Sequence, residues 1–319
     1  VDEKGTHMKA WQFTAVGKPL TRNDIPEPEA GTGEIVIDVK AVGLCHSDVG
    51  FLDGTLTSLL PFRPITLGHE IAGVVASTGP GARRFAVGDR VAVPAAIEGP
   101  GTSSNGGFQP KVAVRENLAI PLPDGIAWDQ AAAATDAGLT SYHAMIVQGA
   151  VTAGTKVGVI GFGGLGSLGA QIALAVGAEV FVVEKNEKVH AFARELGVTD
   201  VAADMAAFAD KKLDVIVDFA GFGTTTNAAV EAVRRDGRVV LVGLGVGEGT
   251  INLQALTLNQ VMLTGSQAGT PEDCQAVLQL IADGKVTSRI THIGFDQIGD
   301  GIGKLERGEV IGRLVVLYD

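Results

Sequence analysis

Cysteine is nearly absent: two residues in a chain of 319, Cys45 and Cys274, which excludes a disulfide framework and points to a reducing compartment, so a cytoplasmic location is expected. Basic residues are also outnumbered, 25 Lys and Arg against 36 Asp and Glu, for a net charge of −11. Binding to nucleic acid or to an anionic membrane surface needs clustered cations, so neither is expected, and a small-molecule partner fits better. Charged residues reach only 19% while hydrophobic residues reach 46%, which excludes a disordered chain.

An uninterrupted membrane span is missing too. The one long uncharged stretch, residues 157–178, carries seven glycines, five of them between Gly161 and Gly169. That interruption predicts a strand, a turn and a helix instead of a bilayer-crossing helix. Glycine itself is abundant, 44 residues without a Gly-X-Y repeat, which implies many tight turns or backbone placed close to a ligand.

The length predicts two domains. Residues 1–7 read as a cloning remnant ahead of a start at Met8 and are set aside from fold reasoning. From Met8 to about Arg115, short β-rich runs alternate with turn signals: Lys9–Phe13, Glu34–Val42, Ile71–Ser77, Arg90–Val93 and Lys111–Val114. These predict an antiparallel, barrel-like half. Residues Glu98–Gly107 hold Gly, Ser, Thr and Pro without an apolar anchor and are expected to form an exposed loop. An Ala-rich helix, opened by an Asp129 cap, is expected to run to about Val147.

Beyond it the pattern changes. Lys156–Ile160, Glu179–Val183, Val215–Phe219 and Arg238–Val242 are apolar runs separated by helix-like segments, which predicts a parallel sheet covered on both faces. A further strand is expected near Val261–Gly265, then a helix from Pro271 to Asp283. A last strand, Gly312–Leu317, returns to the first domain. The fold class is therefore α/β, with a β-rich domain beside a doubly wound parallel sheet.

Two groups of residues could carry chemistry. Gly161-Phe-Gly163-Gly164-Leu165-Gly166 follows a strand and opens a helix, the context in which such a motif binds a dinucleotide. The first glycine permits the turn, the second lets backbone reach the diphosphate, and the third lets helix and strand pack. Glu184 ends the next strand, where a carboxylate accepts hydrogen bonds from the adenosine ribose and repels a 2′-phosphate; NAD is favoured over NADP. The second group is Gly43-Leu-Cys45-His46-Ser47-Asp48 with Gly68-His69-Glu70, which offers the thiolate, imidazole and carboxylate that zinc accepts.

With Val87-Gly-Asp-Arg-Val91 and Gly312-Arg313-Leu-Val added, the chain from Met8 to Asp319 resembles the medium-chain dehydrogenase/reductases, and among them the zinc-dependent alcohol dehydrogenases. The resemblance implies a GroES-like catalytic domain (residues 8–140 and 268–319) and a Rossmann NAD-binding domain (141–267), with the active site in the cleft between them. It also implies a homodimer or homotetramer, and a catalytic zinc held by Cys45, His69 and Asp136. Glu70 is implied as an acid able to approach the metal, and Asp48 as the carboxylate that orients the histidine ligand. Ser47 is implied as the hydroxyl that relays the alcohol's proton, His46 and Arg313 as contacts to the cofactor diphosphate, and Thr140 as a neighbour of the nicotinamide.

Three departures accompany it. Asp136 stands where many members have cysteine, a harder ligand that still completes the set. Gly50 stands where several members continue the proton relay with histidine. The four cysteines of a structural-zinc lobe, expected between Val93 and Phe108, are absent, so one catalytic zinc and no structural zinc is expected. Asp136 and His143, seven residues apart on the predicted helix, should share a face, with His143 structural or lining the pocket. Cys274, Trp11 and Trp128 are read as packing residues, and His190 and His292 as surface or turn residues. A zinc-free quinone or enoyl reductase of the same superfamily and a non-catalytic NAD(H)-binding protein are the alternatives; the alcohol itself is not specified.

Overall fold

A computed structural model describes residues 6–318. Residues 1–5 of the supposed cloning remnant lie outside the described residues, but His7 already belongs to a strand, pairing with Pro26. In chain order the strands are β1 (His7–Phe13), β2 (Thr21–Pro26), β3 (Glu34–Leu44), β4 (Ile65–Thr66), β5 (Glu70–Thr78), β6 (Arg90–Val93), β7 (Lys111–Arg115) and β8 (Ile120–Pro121). They continue with β9 (Lys156–Ile160), β10 (Glu179–Val183), β11 (Asp200–Ala202), β12 (Val215–Asp218), β13 (Arg238–Leu241), β14 (Met262–Gly265), β15 (Ile290–Ile293) and β16 (Arg313–Leu317).

The chain divides into two compact units. Unit 1 comprises residues 1–136, 274–282 and 289–319. It holds a sheet in the order β15-β16-β3-β5-β6-β8, with β7 also paired to β3, and a smaller sheet β2-β1-β4. All pairings are antiparallel except β15 with β16. Strand β3 is buried along most of its length because it has β5 on one edge, β7 and then β16 along the other, and apolar side chains on both faces. Phe13, Ile35, Ile37, Leu44, Phe51, Ile65, Leu67, Ile71 and Phe108 form the fully buried centre. Trp11 and Trp128 lie at its edge, half-buried, instead of within it; Trp11 donates Nε1–H to the carbonyl of Phe295, and the Arg90 guanidinium lies 4.2 Å from the Trp128 ring centre.

The expectation of an exposed loop at 98–107 is corrected. Gly99, Pro100, Gly101, Gly106 and Gly107 are buried. The N–H groups of Gly106, Gly107 and Phe108 donate to the carbonyls of Thr66, Gly68 and Leu67 at 2.8, 2.7 and 2.9 Å, and Asn105 Oδ1 accepts from Thr66 N–H at 2.9 Å. A Cβ on Gly106 would stand 2.3 Å from the Gly68 carbonyl oxygen, so only glycine lets the two backbones approach so closely.

Unit 2 comprises residues 137–273 and 283–288. Its sheet is wholly parallel in the order β11-β10-β9-β12-β13-β14, the doubly wound arrangement in which the first strand sits beside the point where the order reverses. Four apolar residues in five in β9 and β10 are buried because helices cover the sheet, among them Gly164–Ala175, which packs on both strands.

The Ala-rich helix starts at Trp128 and not at an Asp129 cap; Asp129 lies in its first turn and pairs with His292, which lies on strand β15. The helix is not a regular α-helix. Residues 134–138 and 143–148 form wider π turns. Such turns are rare and concentrate at functional sites. His143 bonds Asp273 at 2.8 Å and approaches Gln148 at 3.2 Å, while Asp136 belongs to the cluster of Cys45, His69 and Glu70. No helix among the described residues is long and apolar enough to cross a membrane.

Candidate active site

The metal-ligating cluster lies within unit 1. Strand β3 ends at Leu44 and delivers Cys45, which caps the helix His46–Asp53; β5 begins at Glu70, directly after His69. Because Gly43 pairs with Glu70 across the two strands, the sheet register brings the two motifs together. Asp136 arrives on the first π turn. One ligand atom from each of Cys45, His69, Glu70 and Asp136 lies within 4.8 Å of all the others.

Cys45 Sγ is 3.2 Å and His69 Nε2 is 3.6 Å from Asp136 Oδ2. A tetrahedral centre with bonds of about 2.0–2.3 Å separates its ligands by roughly 3.3–3.8 Å, so these donors are spaced as zinc ligands are. Charge gives a second test of fit. Beside a thiol and an imidazole, the two carboxylates meet one buried cation, Arg313, which donates from Nε to Glu70 Oε2 at 3.2 Å, from Nη2 to Glu70 Oε1, and from Nη2 to Asp136 Oδ2 at 3.3 Å. A divalent cation would balance the remaining negative charge, and the donor set fits it.

Asp48 is fully buried, and its Oδ2 accepts the Cys45 N–H at 2.9 Å. Its Oδ1 and His69 Nδ1 are 3.7 Å apart, and neither has another hydrogen-bond partner. A proton on Nδ1 facing this carboxylate leaves Nε2 free to ligate, which is how an outer carboxylate fixes a histidine ligand. Burial pushes the Asp48 carboxyl above its usual range, against the opposing pull of His69, the Cys45 N–H and Arg313. Burial would lower His69, but Asp48 and the bonds to Asp136 and Cys45 hold its imidazole well above the usual value.

Ser47 Oγ lies 3.6 Å from Cys45 Sγ. At Gly50, where a relay histidine is absent, the Leu56 side chain fills the space: a Cβ there would meet Leu56 Cδ1 at 2.9 Å. His46 is exposed at the start of its helix, whereas Arg313, read from sequence as a diphosphate contact, is buried and bonded to the two acids of the cluster. Cys274 is fully buried and donates weakly to the Ala134 carbonyl at 3.7 Å.

The nucleotide fingerprint lies within unit 2. Gly161 adopts a φ of +84°, Gly163 precedes the helix with nothing within 4 Å of the place a Cβ would take, and a Cβ on Gly166 would stand 1.9 Å from the Gly161 carbonyl oxygen. These are a tight turn, an open approach and a close helix–strand contact, the three demands of a dinucleotide site. Gly164 and Leu165 form the first turn of the helix, whose unpaired N–H groups and dipole favour a diphosphate. Glu184 Oε2 accepts the Phe162 N–H and Oε1 accepts the Asn186 N–H, both at 2.8 Å, so the acid also shapes the glycine turn. Thr140 is buried. His190, in a helix, bonds the Glu184 carbonyl through Nε2 at 2.6 Å.

Sequence reasoning missed Asp218. It ends β12, is fully buried, and accepts four hydrogen bonds; it closes an apolar strand and belongs to no motif that would single it out.

A doubly wound sheet with a glycine fingerprint, in one chain with a thiol-imidazole-carboxylate cluster, defines a dinucleotide-linked, metal-dependent class of protein. Comparison with known proteins narrows this. Residues 31–124 match the alcohol dehydrogenase GroES-like domain, and residues 164–283 match the zinc-binding dehydrogenase domain. An alcohol dehydrogenase of Geobacillus stearothermophilus is 30% identical, covering 98% of this chain and 100% of that one. Among solved structures, the acetophenone reductase of Geotrichum candidum in complex with NAD is 30% identical with a TM-score of 0.89, covering 98% of this chain and 97% of that one. The alcohol dehydrogenase of Aeropyrum pernix is 26% identical with a TM-score of 0.89, covering 97% and 100%. The chain belongs to the zinc-dependent alcohol dehydrogenase family of the medium-chain dehydrogenase/reductases.

Proposed function

We propose that the protein is an NAD-dependent alcohol dehydrogenase that reversibly oxidises a small-molecule alcohol to an aldehyde or ketone, with one catalytic zinc per chain and no structural zinc. The observation that carries this is the convergence of Cys45, His69, Glu70 and Asp136 within 4.8 Å, in a chain that also bears the dinucleotide fingerprint. Zinc would supply Lewis acidity, lowering the pKa of an alcohol hydroxyl, and NAD a hydride acceptor. A zinc-free reductase would have no use for four converging ligand atoms.

On this reading Cys45, His69 and Asp136 would hold the metal, Glu70 stands beside it as a further acid within reach, and Asp48 keeps the His69 ring oriented. Ser47 accepts the alcohol's proton while donating its own onward, working by hydrogen-bond geometry. With Gly50 covered by Leu56, no imidazole at position 50 continues the path from Ser47, and a ribose hydroxyl or water would have to take the proton onward. Gly161, Gly163, Gly164, Leu165 and Gly166 would hold the diphosphate, Glu184 would take the adenosine ribose, and Thr140 would border the nicotinamide, while Arg313, buried against Glu70 and Asp136, serves the metal cluster instead. The GroES-like catalytic domain, expected at 8–140 and 268–319, corresponds to unit 1 and the Rossmann domain, expected at 141–267, to unit 2, except that residues 137–140, 268–273 and 283–288 group with unit 2.

A homodimer or homotetramer in the cytoplasm completes the proposal. Strand β14 supports assembly: it is a sheet edge with Met262 53% and Leu263 36% exposed, and an apolar edge left open invites pairing with another chain.

Metal analysis of protein purified without chelator, followed by alcohol-dependent NAD reduction, tests the reading. About one zinc per chain and turnover on at least one alcohol are expected. A chain that neither contains zinc nor takes it up would overturn it.

A further inference from the structure

The buried carboxylate of Asp218 has no part in the site described above, yet it organises one end of the unit 2 sheet. Its Oδ1 accepts the N–H groups of Ala220 and Gly221 at 3.0 and 2.9 Å, and its Oδ2 accepts the hydroxyls of Thr225 and Thr226 at 2.7 and 2.8 Å. The Thr225 hydroxyl in turn accepts the Phe222 N–H at 3.0 Å. Every residue from Ala220 to Phe222 is thus tied, directly or through one hydroxyl, to a single carboxylate.

That loop fits against its neighbours where no side chain could intervene. A Cβ on Gly161, the first fingerprint glycine, would meet the Ala220 Cβ at 3.3 Å. A Cβ on Gly221 would stand 1.8 Å from the Gly243 carbonyl oxygen, and one on Gly243 would stand 2.4 Å from that of Phe219. The loops after β9, β12 and β13 therefore interlock around Ala220, and Asp218 sets the middle one.

The position of the cofactor follows from sheet order. The diphosphate belongs at the glycine turn after β9 and the adenosine ribose at Glu184 after β10. Strand β12 flanks β9 on the opposite side from β10, so the nicotinamide half must extend over the ends of β12 and β13. We infer that Asp218 is a positioning residue for the nicotinamide half of NAD, holding residues 219–223 as a preformed platform beside the glycine turn. This inference rests on the proposed NAD-dependent activity.

The test compares a whole cofactor with its adenosine half. NADH binding is titrated by fluorescence and AMP binding by competition, using zinc-loaded wild type, Asp218→Asn, Thr226→Val and Thr226→Ser. An amide at 218 turns a donor toward two existing donors, so NADH should weaken about tenfold or more. AMP should change by less than about twofold, because no lost bond lies on the Glu184 side. Thr226→Val removes one bond and should give a smaller loss of the same kind, which Thr226→Ser restores. Equal weakening of NADH and AMP, or no weakening of NADH in a folded Thr226→Val protein, would overturn the inference. A wild-type protein that binds AMP and NADH but oxidises no alcohol would refute the activity and leave the positioning role standing; one that binds neither would overturn both.

Discussion

The carboxylate of Glu70 occupies the space above Gly43 in which any other residue would place its side chain. A Cβ at position 43 would stand 1.8 Å from Glu70 Oε2 and 2.8 Å from its carboxyl carbon. Gly43→Ala should therefore push Glu70 off Arg313, destabilise the metal-free chain by about 1–3 kcal/mol as an overpacked core does, and lower activity. Thermal melts with chelator, compared with kcat after zinc reconstitution, check this; wild-type values for both would contradict the role given to Gly43.

On the proposed function Ser47, 3.6 Å from the Cys45 thiol, is the residue assigned the proton step, and Gly50 offers no imidazole to share it. Ser47→Ala should lower kcat by about a hundredfold, the middle of the range for general acid–base assistance, and leave zinc content unchanged. Steady-state kinetics and metal analysis on one preparation decide it. Undiminished turnover would remove Ser47 from the mechanism.

Glu184 accepts the N–H groups of Phe162 and Asn186, and the proposed function gives it the adenosine ribose as well. Glu184→Ala should raise the KM for NAD by about tenfold, a loss typical of charge-assisted hydrogen bonds, and raise that for NADP less, because repulsion of the 2′-phosphate disappears with the acid. Parallel changes for the two cofactors would show that only the loop had loosened.

Asp214 gives a pH signature unrelated to the metal. Burial alone would raise its carboxyl, but the Arg234 Nε–H at 2.6 Å, the Lys156 N–H at 2.8 Å and the charges of both residues bring it below the usual range. A depressed folded-state pKa means that the unfolded chain takes up the proton first. The stabilisation is therefore present above the ordinary aspartate value and is lost as pH falls through the folded one. Asp214→Asn should be less stable than wild type at neutral pH, and the gap should close below about pH 4. Urea denaturation across that range reads it directly; a gap independent of pH would refute the assignment.

Much of the fold can be read along the chain, because alternation of apolar strands with helices and a glycine turn after a strand are local signals. Cys45 and His69 are likewise flagged by residue type. Asp136 is not: it stands 91 positions from Cys45, and only the family resemblance assigned it. The π turns that carry it have no compositional mark in an Ala-rich helix. Composition also misled at Glu98–Gly107. Glycine and serine signal solvent exposure, yet the absence of side chains is what lets this loop lie on Thr66–Gly68, directly before His69. Asp218 was invisible for the opposite reason, as a single acid whose partners all follow it in a loop with no motif.

Strand β16 lies between β15 and β3, so the sheet that presents Cys45 borrows its neighbour from the far side of unit 2 in sequence. Unit 2 draws its sheet from one nearly continuous stretch, residues 137–273. On the ribosome the nucleotide-binding half can therefore close early. The half that presents the thiol must wait, residues 41–44 of β3 unpaired on one side, until residues 313–317 emerge.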